Sequence, residues 1–354
     1  MKKIKIGIIG VGNIAQEHIY AYKQNPNVEL YAFCDIDPVR LKEMGELHGI
    51  TRCYQSEREM LDALPELDAV SVCVWNNQHA PCTIMALEAG KHVLCEKPMA
   101  TSVAEAERML ETARRCNRLL MIGFVCRFGK DCALMEDFIR SDFFGELYYA
   151  KATYLRRCGN PGGWFSDKSR SAGGPLIDLG VHVIDLTRFL MGNPRPVSVY
   201  GATFQKLFDR PGVKGKFDYG ASKGSAENIC DVEDLAVALV RYENGAVLEV
   251  ETSYSLNLKE DRYSQEYFGT KGGVKIDPKL EFYTEVNGYM ANVTLANEEQ
   301  FTDDSNLFVD EIAHYIDCIQ NGVPCRAPAE DGLAIMKILE AIYESARTGH
   351  EVVL

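Results

Sequence analysis

Apolar positions along the chain follow two regimes that meet near Phe124. Before that point, short continuous apolar runs alternate with stretches in which apolar residues return every three to four positions. Ile4–Ile9 is almost unbroken apolar sequence, the mark of a strand buried on both faces of a parallel sheet. A helix is predicted over Asn13–Gln24, a strand over Val28–Cys34, and a helix from Pro38 to about His48. Ser56 and Glu59 have the spacing of a capping box for a short helix ending before Pro65. Ala69–Val74 then reads as a strand and Pro81–Glu88 as a helix stopped by Gly90. The strand His92–Cys95, the helix Ser102–Cys116 and the strand Leu119–Ile122 complete the series. Strands alternating with helices predict a doubly wound α/β domain over residues 1–124.

Beyond Phe124 the strands come in succession. A helix over Lys130–Ser141 precedes strands near Tyr148–Tyr154, Val197–Phe204, Asp234–Tyr242, Ala246–Ser253, Tyr263–Phe268 and Val274–Ile276. Asn244-Gly245 marks a hairpin turn. One helix, Pro175–Leu190, interrupts them, and helices at Asn306–Gln320 and Ala329–Ala346 close the chain. Gln205–Asn228, rich in Gly, Lys and Asp, reads as a loop or insertion. Residues 125–354 are thus expected to form an α+β domain on a large, mainly antiparallel open sheet.

Composition narrows the function by exclusion. With 354 residues, 46% hydrophobic and 25% charged, the chain has the balance of a soluble globular protein. Its 51 acidic against 38 basic residues give a net charge of −13, which argues against nucleic acid or an anionic membrane as partner. No apolar stretch suits a lipid-spanning helix, and the N-terminus runs straight into a strand instead of a secretion signal. Twelve cysteines occur without a C-x-x-C pair. Scattered thiols such as Cys34, Cys73, Cys95 and Cys126 read as small core side chains in a reducing cytoplasm.

Candidate chemistry begins at Gly10-Val11-Gly12-Asn13-Ile14-Ala15, a G-x-G-x-x-A fingerprint between a predicted strand and helix. Gly10 allows the tight turn and Gly12 the approach of a pyrophosphate. The helix N-terminus at Asn13 and Ile14 offers free N–H groups. Asp35, closing the second strand, suits a ribose diol and repels a 2′-phosphate, so NAD is expected rather than NADP. Glu96-Lys97-Pro98 follows the fourth strand, at the edge where ligands of such sheets bind; a surface lysine in a βα loop is the plainer account. Asn76 and His79 are candidates to line the cofactor edge, with helix capping by Asn77 or Gln78 as the alternative. In the helix after Gly173-Gly174-Pro175, Asp178, His182 and Asp185 fall at i, i+4 and i+7 on one face. A solvated face and a metal site are the competing accounts, but no third ligand group stands out and no metal is expected. Trp164 can offer an aromatic face to a sugar ring or anchor its own loop.

These blocks together resemble the glucose–fructose oxidoreductase and inositol dehydrogenase (Gfo/Idh/MocA) family over essentially the whole chain. The likeness rests on GVGNIA, Asp35, the N-x-x-H after the third strand, AGKHVLCEKP and GGPLIDLGVHVIDL. Trp75 stands where the family's T-P-N-x-x-H has proline. The resemblance implies a Rossmann domain with Gly10, Gly12, Asn13, Ile14, Asp35, Asn76, His79, Glu96 and Lys97 toward NAD. It also implies a catalytic group of Lys97, Asp178 and His182, which meets the substrate. The implied reaction moves a hydride between nicotinamide and a secondary alcohol or ketone of a sugar, polyol or cyclitol, in a homodimer or homotetramer. Two other classes stay open: a glycosidase of the same architecture that uses NAD transiently, and a non-enzymatic sensor. A sensor has no need of the lysine–aspartate–histidine set.

Overall fold

The computed structural model describes residues 3–207, 210, 212–214, 229–276, 280–296 and 307–354. Most of the predicted insertion Gln205–Asn228, and Asn306 at the head of a predicted helix, lie outside the described residues. The chain forms two compact units, Met1–Phe128 with Asn306–Met336, and Gly129–Ser305 with Lys337–Leu354.

In the first unit, six parallel strands alternate with helices: β1 (Ile4–Ile9), α1 (Asn13–Gln24), β2 (Val28–Cys34), α2 (Pro38–His48), β3 (Cys53–Tyr54), α3 (Glu57–Ala63), β4 (Ala69–Val72), α4 (Asn76–Glu88), β5 (His92–Glu96), α5 (Val103–Cys116) and β6 (Leu120–Gly123). Their spatial order is β3-β2-β1-β4-β5-β6, so the winding reverses between β1 and β4. At such a switch point the flanking loops diverge and leave a crevice at the carboxyl ends of the strands. β1, β4 and β5 are buried almost throughout because helices cover both faces, which is why their sequences are apolar without alternation. Local chemistry sets the helix ends. Asp37 accepts from the N–H groups of Val39 and Arg40 with Pro38 in the first turn, and Gly49 closes α2 at φ +73°. The fourth helix corrects the sequence reading: it starts at Asn76, not Pro81, and Pro81 lies inside it. As the sixth residue of the helix, Pro81 lies past the first four N–H groups that lack intrahelical acceptors, so it removes one i→i−4 hydrogen bond from α4.

The second unit contains α6 (Lys130–Arg140), β7 (Leu147–Leu155), a one-turn α7 (Lys168–Ser171), α8 (Val181–Leu190), β8 (Pro196–Phe204), β9 (Leu235–Tyr242), β10 (Val247–Ser253), β11 (Arg262–Gly269), β12 (Gly272–Ile276), β13 (Leu280–Val286) and β14 (Tyr289–Val293). Two helices, α9 (Leu307–Asn321) and α10 (Ala329–Thr348), and a short β15 (Val352–Val353) end the chain. The nine-stranded sheet runs β14-β13-β12-β11-β7-β10-β9-β8-β15, antiparallel except where β10 pairs with β7. Alternation is clean: Ala236, Ala238, Val240 and Tyr242 of β9 are buried, whereas Leu239 and Arg241 are exposed. The polar face carries Glu249, Lys151, Glu266, Lys275 and Glu281 side by side on successive strands, so opposite charges stand opposite one another. The sequence reading missed β13 and β14, although their turn, Asn287-Gly288 with both φ positive, carries the same signal as Asn244-Gly245.

Candidate active site

The turn after β1 is built by Gly10. Its φ is +85°, and a Cβ there would lie 2.6 Å from the Cys73 carbonyl oxygen, so only glycine fits. Gly12 precedes α1 with open space where a side chain would be, and no side chain caps this helix. An uncapped N-terminus beneath an empty cradle suits a pyrophosphate, and Asn13 and Ile14 are the first residues of that helix. Asp35 is held at the end of β2. Its Oδ2 accepts from Val11 N–H at 2.8 Å and its Oδ1 from Asp37 N–H at 2.9 Å, leaving each oxygen a lone pair for a ribose diol. Beside it, Arg40 donates to the Val11 carbonyl at 2.7 Å and to Asn13 Oδ1 at 3.3 Å. The residues present fit a dinucleotide.

Lys97 is the one half-buried side chain in an otherwise buried run, Val93–Ala100, and the Lys97–Pro98 peptide is cis. Neighbouring groups are fixed from below. His18 Nε2 lies 2.8 Å from Glu96 Oε1, its Nδ1 3.2 Å from Ser71 Oγ, and Tyr22 shares that hydroxyl at 2.7 Å. Glu96 Oε2 accepts from the Lys97 backbone N–H at 3.2 Å. Burial works to raise the Glu96 pKa, but the His18 hydrogen bond, with the charges of His18 and Lys97, holds it below the usual range. His79 is buried, with Nδ1 2.6 Å from the Pro98 carbonyl and Nε2 3.1 Å from that of Val74. The shorter contact identifies Nδ1–H as donor, and burial pushes the ring's pKa down, keeping it neutral. His79 therefore ties the loop after β4 to the one after β5. Trp75 takes φ −68° and ψ 152°, angles a proline would adopt, so the backbone follows the same route without one. Asn76 is 6% exposed in the first turn of α4.

In the second unit, the predicted helix from Pro175 is not uniform. Leu176–Gly180 forms a π-turn, and α8 follows from Val181. The wider turn breaks the i, i+4, i+7 register. Asp185 is buried, whereas Asp178 and His182 stay half-exposed among buried neighbours. The predicted three-residue stripe is thus corrected to a pair, at a π-turn of the kind that often marks functional positions. Asp178 Oδ2 accepts from the Tyr254 hydroxyl at 3.0 Å, and burial raises the Tyr254 pKa, so this phenol remains a donor. Arg156 lies within electrostatic reach of Asp178 while donating to the Gly159 carbonyl and Tyr154 hydroxyl at 3.1 and 3.3 Å. Glu233 accepts from Gly174 N–H at 3.0 Å, Leu176 N–H at 3.2 Å and the Tyr343 hydroxyl at 2.8 Å. A Cβ on Gly174 would strike the Glu233 carbonyl, which explains that glycine before the π-turn. Trp164 is half-buried and stacks on Phe165 with ring centroids 4.0 Å apart. Arg156, Tyr254 and Glu233 were missed because no local spacing links them to Asp178.

A parallel sheet in 3-2-1-4-5-6 order with a glycine turn, an uncapped helix and a terminal aspartate defines a Rossmann-type dinucleotide-binding oxidoreductase. Residues 4–124 match the oxidoreductase family's NAD-binding Rossmann fold and residues 137–354 its C-terminal alpha/beta domain, so the chain belongs to the Gfo/Idh/MocA family. It is 34% identical to the D-glucoside 3-dehydrogenase of Escherichia coli, over 99% of this chain and 97% of that protein. It is 27% identical to the myo-inositol 2-dehydrogenase of Thermotoga maritima, over 93% and 92%. The aldose-aldose oxidoreductase from Caulobacter crescentus, solved with glycerol, superposes with a TM-score of 0.81 over 100% of both chains at 28% identity.

Proposed function

We propose that this oxidoreductase interconverts a secondary alcohol and a ketone on a pyranoside or cyclitol, with NAD preferred over NADP. The observation that carries it is that one chain holds both a nucleotide cradle closed by Asp35 and, on an otherwise buried helix, the polar and accessible Asp178 and His182. Bound nicotinamide supplies the hydride acceptor. His182 takes the hydroxyl proton as general base, since an imidazole exchanges protons near neutrality. Lys97 donates to the reacting oxygen and stabilises the alkoxide. Asp178, steadied by Tyr254, orients the imidazole or a neighbouring substrate hydroxyl, and Trp164 offers the sugar an apolar face. His79 and Glu96 act as positioning residues for the Lys97 loop, and Asn76 stands toward the cofactor. The 34% identity to a glucoside 3-dehydrogenase puts glucosides first among substrates to test.

The remaining parts of the reading concern setting. No helix among the described residues is long and apolar enough to cross a membrane. None of the twelve cysteines is in a disulfide, which suits a reducing cytoplasm. Homo-oligomers would form on the outer sheet face, where Tyr200 and Leu239 are exposed as cross-strand neighbours. The test is a screen of glucosides, aldoses and inositols with NAD and NADP, followed by NADH absorbance. Aglycone release without net NADH would overturn the reading in favour of the glycosidase.

A further inference from the structure

A cluster outside the proposed active site has the make-up of a metal centre. His314 and Cys318 lie one turn apart on α9, so both project from one helix face. Cys325 follows in the segment between α9 and α10. Their ligand atoms all lie within 4.8 Å of one another, and Cys318 Sγ is 3.3 Å from His314 Nε2. Bond lengths of about 2.3 Å to sulfur and 2.0 Å to nitrogen give a tetrahedral zinc site N···S edges of roughly 3.6 Å and S···S edges of roughly 3.8 Å. The three atoms therefore need only small shifts to share one ion.

The ring is also in the right form. His314 Nε2 accepts from the Arg326 backbone N–H at 2.9 Å, so that nitrogen carries a lone pair, as ligation requires. The second thiol stands on a fixed support. Arg127 is buried and donates to the Arg326 carbonyl at 2.6 Å and to Asp331 at 2.8 Å, while Arg326 donates back to the Arg127 carbonyl at 2.9 Å. Cys325, next to Arg326, is thus held where it is without help from an ion.

We propose that His314, Cys318 and Cys325 bind one zinc-class divalent cation, leaving a fourth position open. Two sulfurs and an imidazole select a borderline or soft ion over magnesium or calcium. On binding, the ion displaces the Arg326 N–H from Nε2 and the two thiol protons pass to solvent. The site clasps the end of α9 to the following segment, apart from any role in hydride transfer.

The test uses the full-length protein, reduced and free of metal, titrated with cobalt(II) under anaerobic conditions. The expected result is a thiolate-to-cobalt charge-transfer band saturating at one ion per chain, displaced by zinc. Cys318→Ser and Cys325→Ser should each weaken cobalt binding beyond the about 10–100-fold that losing an outer-shell partner costs. Cys53→Ser, at an exposed thiol, should leave it unchanged. On the unaltered chain, zinc should slow alkylation of Cys318 and Cys325 alone, so the answer stands even if a variant fails to fold. Absence of the band at millimolar cobalt, its persistence in both serine variants, or alkylation unaffected by zinc would overturn the proposal.

Discussion

Glu311 offers a test of how the nucleotide-binding unit tolerates a buried charge. Its side chain on α9 is 0% exposed, and neither carboxyl oxygen has a hydrogen-bond partner among the described residues. Burial, and then the charge of Glu96, push its pKa well above the carboxylate range. Tyr22 and Cys73 also feel its charge, and none of these neighbours is a cation. The sign of the pH effect follows. Because the folded pKa is raised, the native state keeps a proton that the unfolded state releases above about pH 4.3. Stability is fully present below that value and declines as pH rises, by at most about 1.4 kcal/mol per unit, until the folded pKa is passed. Glu311→Met fills nearly the same volume and removes both unpaired acceptors, for a gain of about 1–3 kcal/mol at neutral pH. Urea unfolding at half-unit steps from pH 5 to 8 measures both effects. The variant's advantage should widen with pH. A variant less stable at pH 7.5, or an advantage constant from pH 5 to 8, would refute the reasoning.

Asp35→Ser should weaken NAD binding and narrow the preference over NADP, read as the ratio of dissociation constants; Arg40 stands ready to meet the added phosphate. Equal affinity for both nucleotides in the unaltered protein would contradict this. His182→Ala should lower kcat by about two to four orders of magnitude with little change in NAD affinity. Lys97→Ala should do the same, and the double variant should lose far less than the two losses combined, as residues acting in one step do. His79→Leu should cost about 1–3 kcal/mol by leaving the Pro98 carbonyl without the Nδ1–H donor. It should also remove part of the acid destabilisation that a depressed histidine pKa produces as pH falls below about 6.5, visible in melting temperatures from pH 5 to 7. Light scattering at micromolar concentration should give at least a dimer, and a monomeric mass would count against assembly on the sheet face.

The parts of the fold that sequence disclosed are those governed by local rules. The turn at Gly10, the cap at Asp37 and the buried strands of the first sheet depend on residues adjacent in the chain. The π-turn at Leu176–Gly180 was hidden because its apolar residues fit an ordinary helix equally well, and only packing decides the register. Pro81 misled because it is a common first-turn residue, while the true start at Asn76 has no side-chain cap to announce it. Glu311 beside Glu96, Arg156 beside Asp178 and Cys325 beside His314 were illegible for a different reason. Each pair is made by tertiary folding, and neither partner carries a mark of the other.

The first unit is discontinuous in the chain, and this bears on how the protein is made. Its early strands are synthesised first, yet Tyr315 reaches the Val70 carbonyl and Asp331 completes the Arg127 ion pair from near the other end. At about 5–20 residues per second, translation of the intervening stretch takes on the order of 10–30 s. During that interval the nascent nucleotide-binding unit has no α9, and the face of α1 on which α9 packs is uncovered. The chain should therefore depend on chaperone shielding during synthesis more than a Rossmann protein whose closing helix comes early.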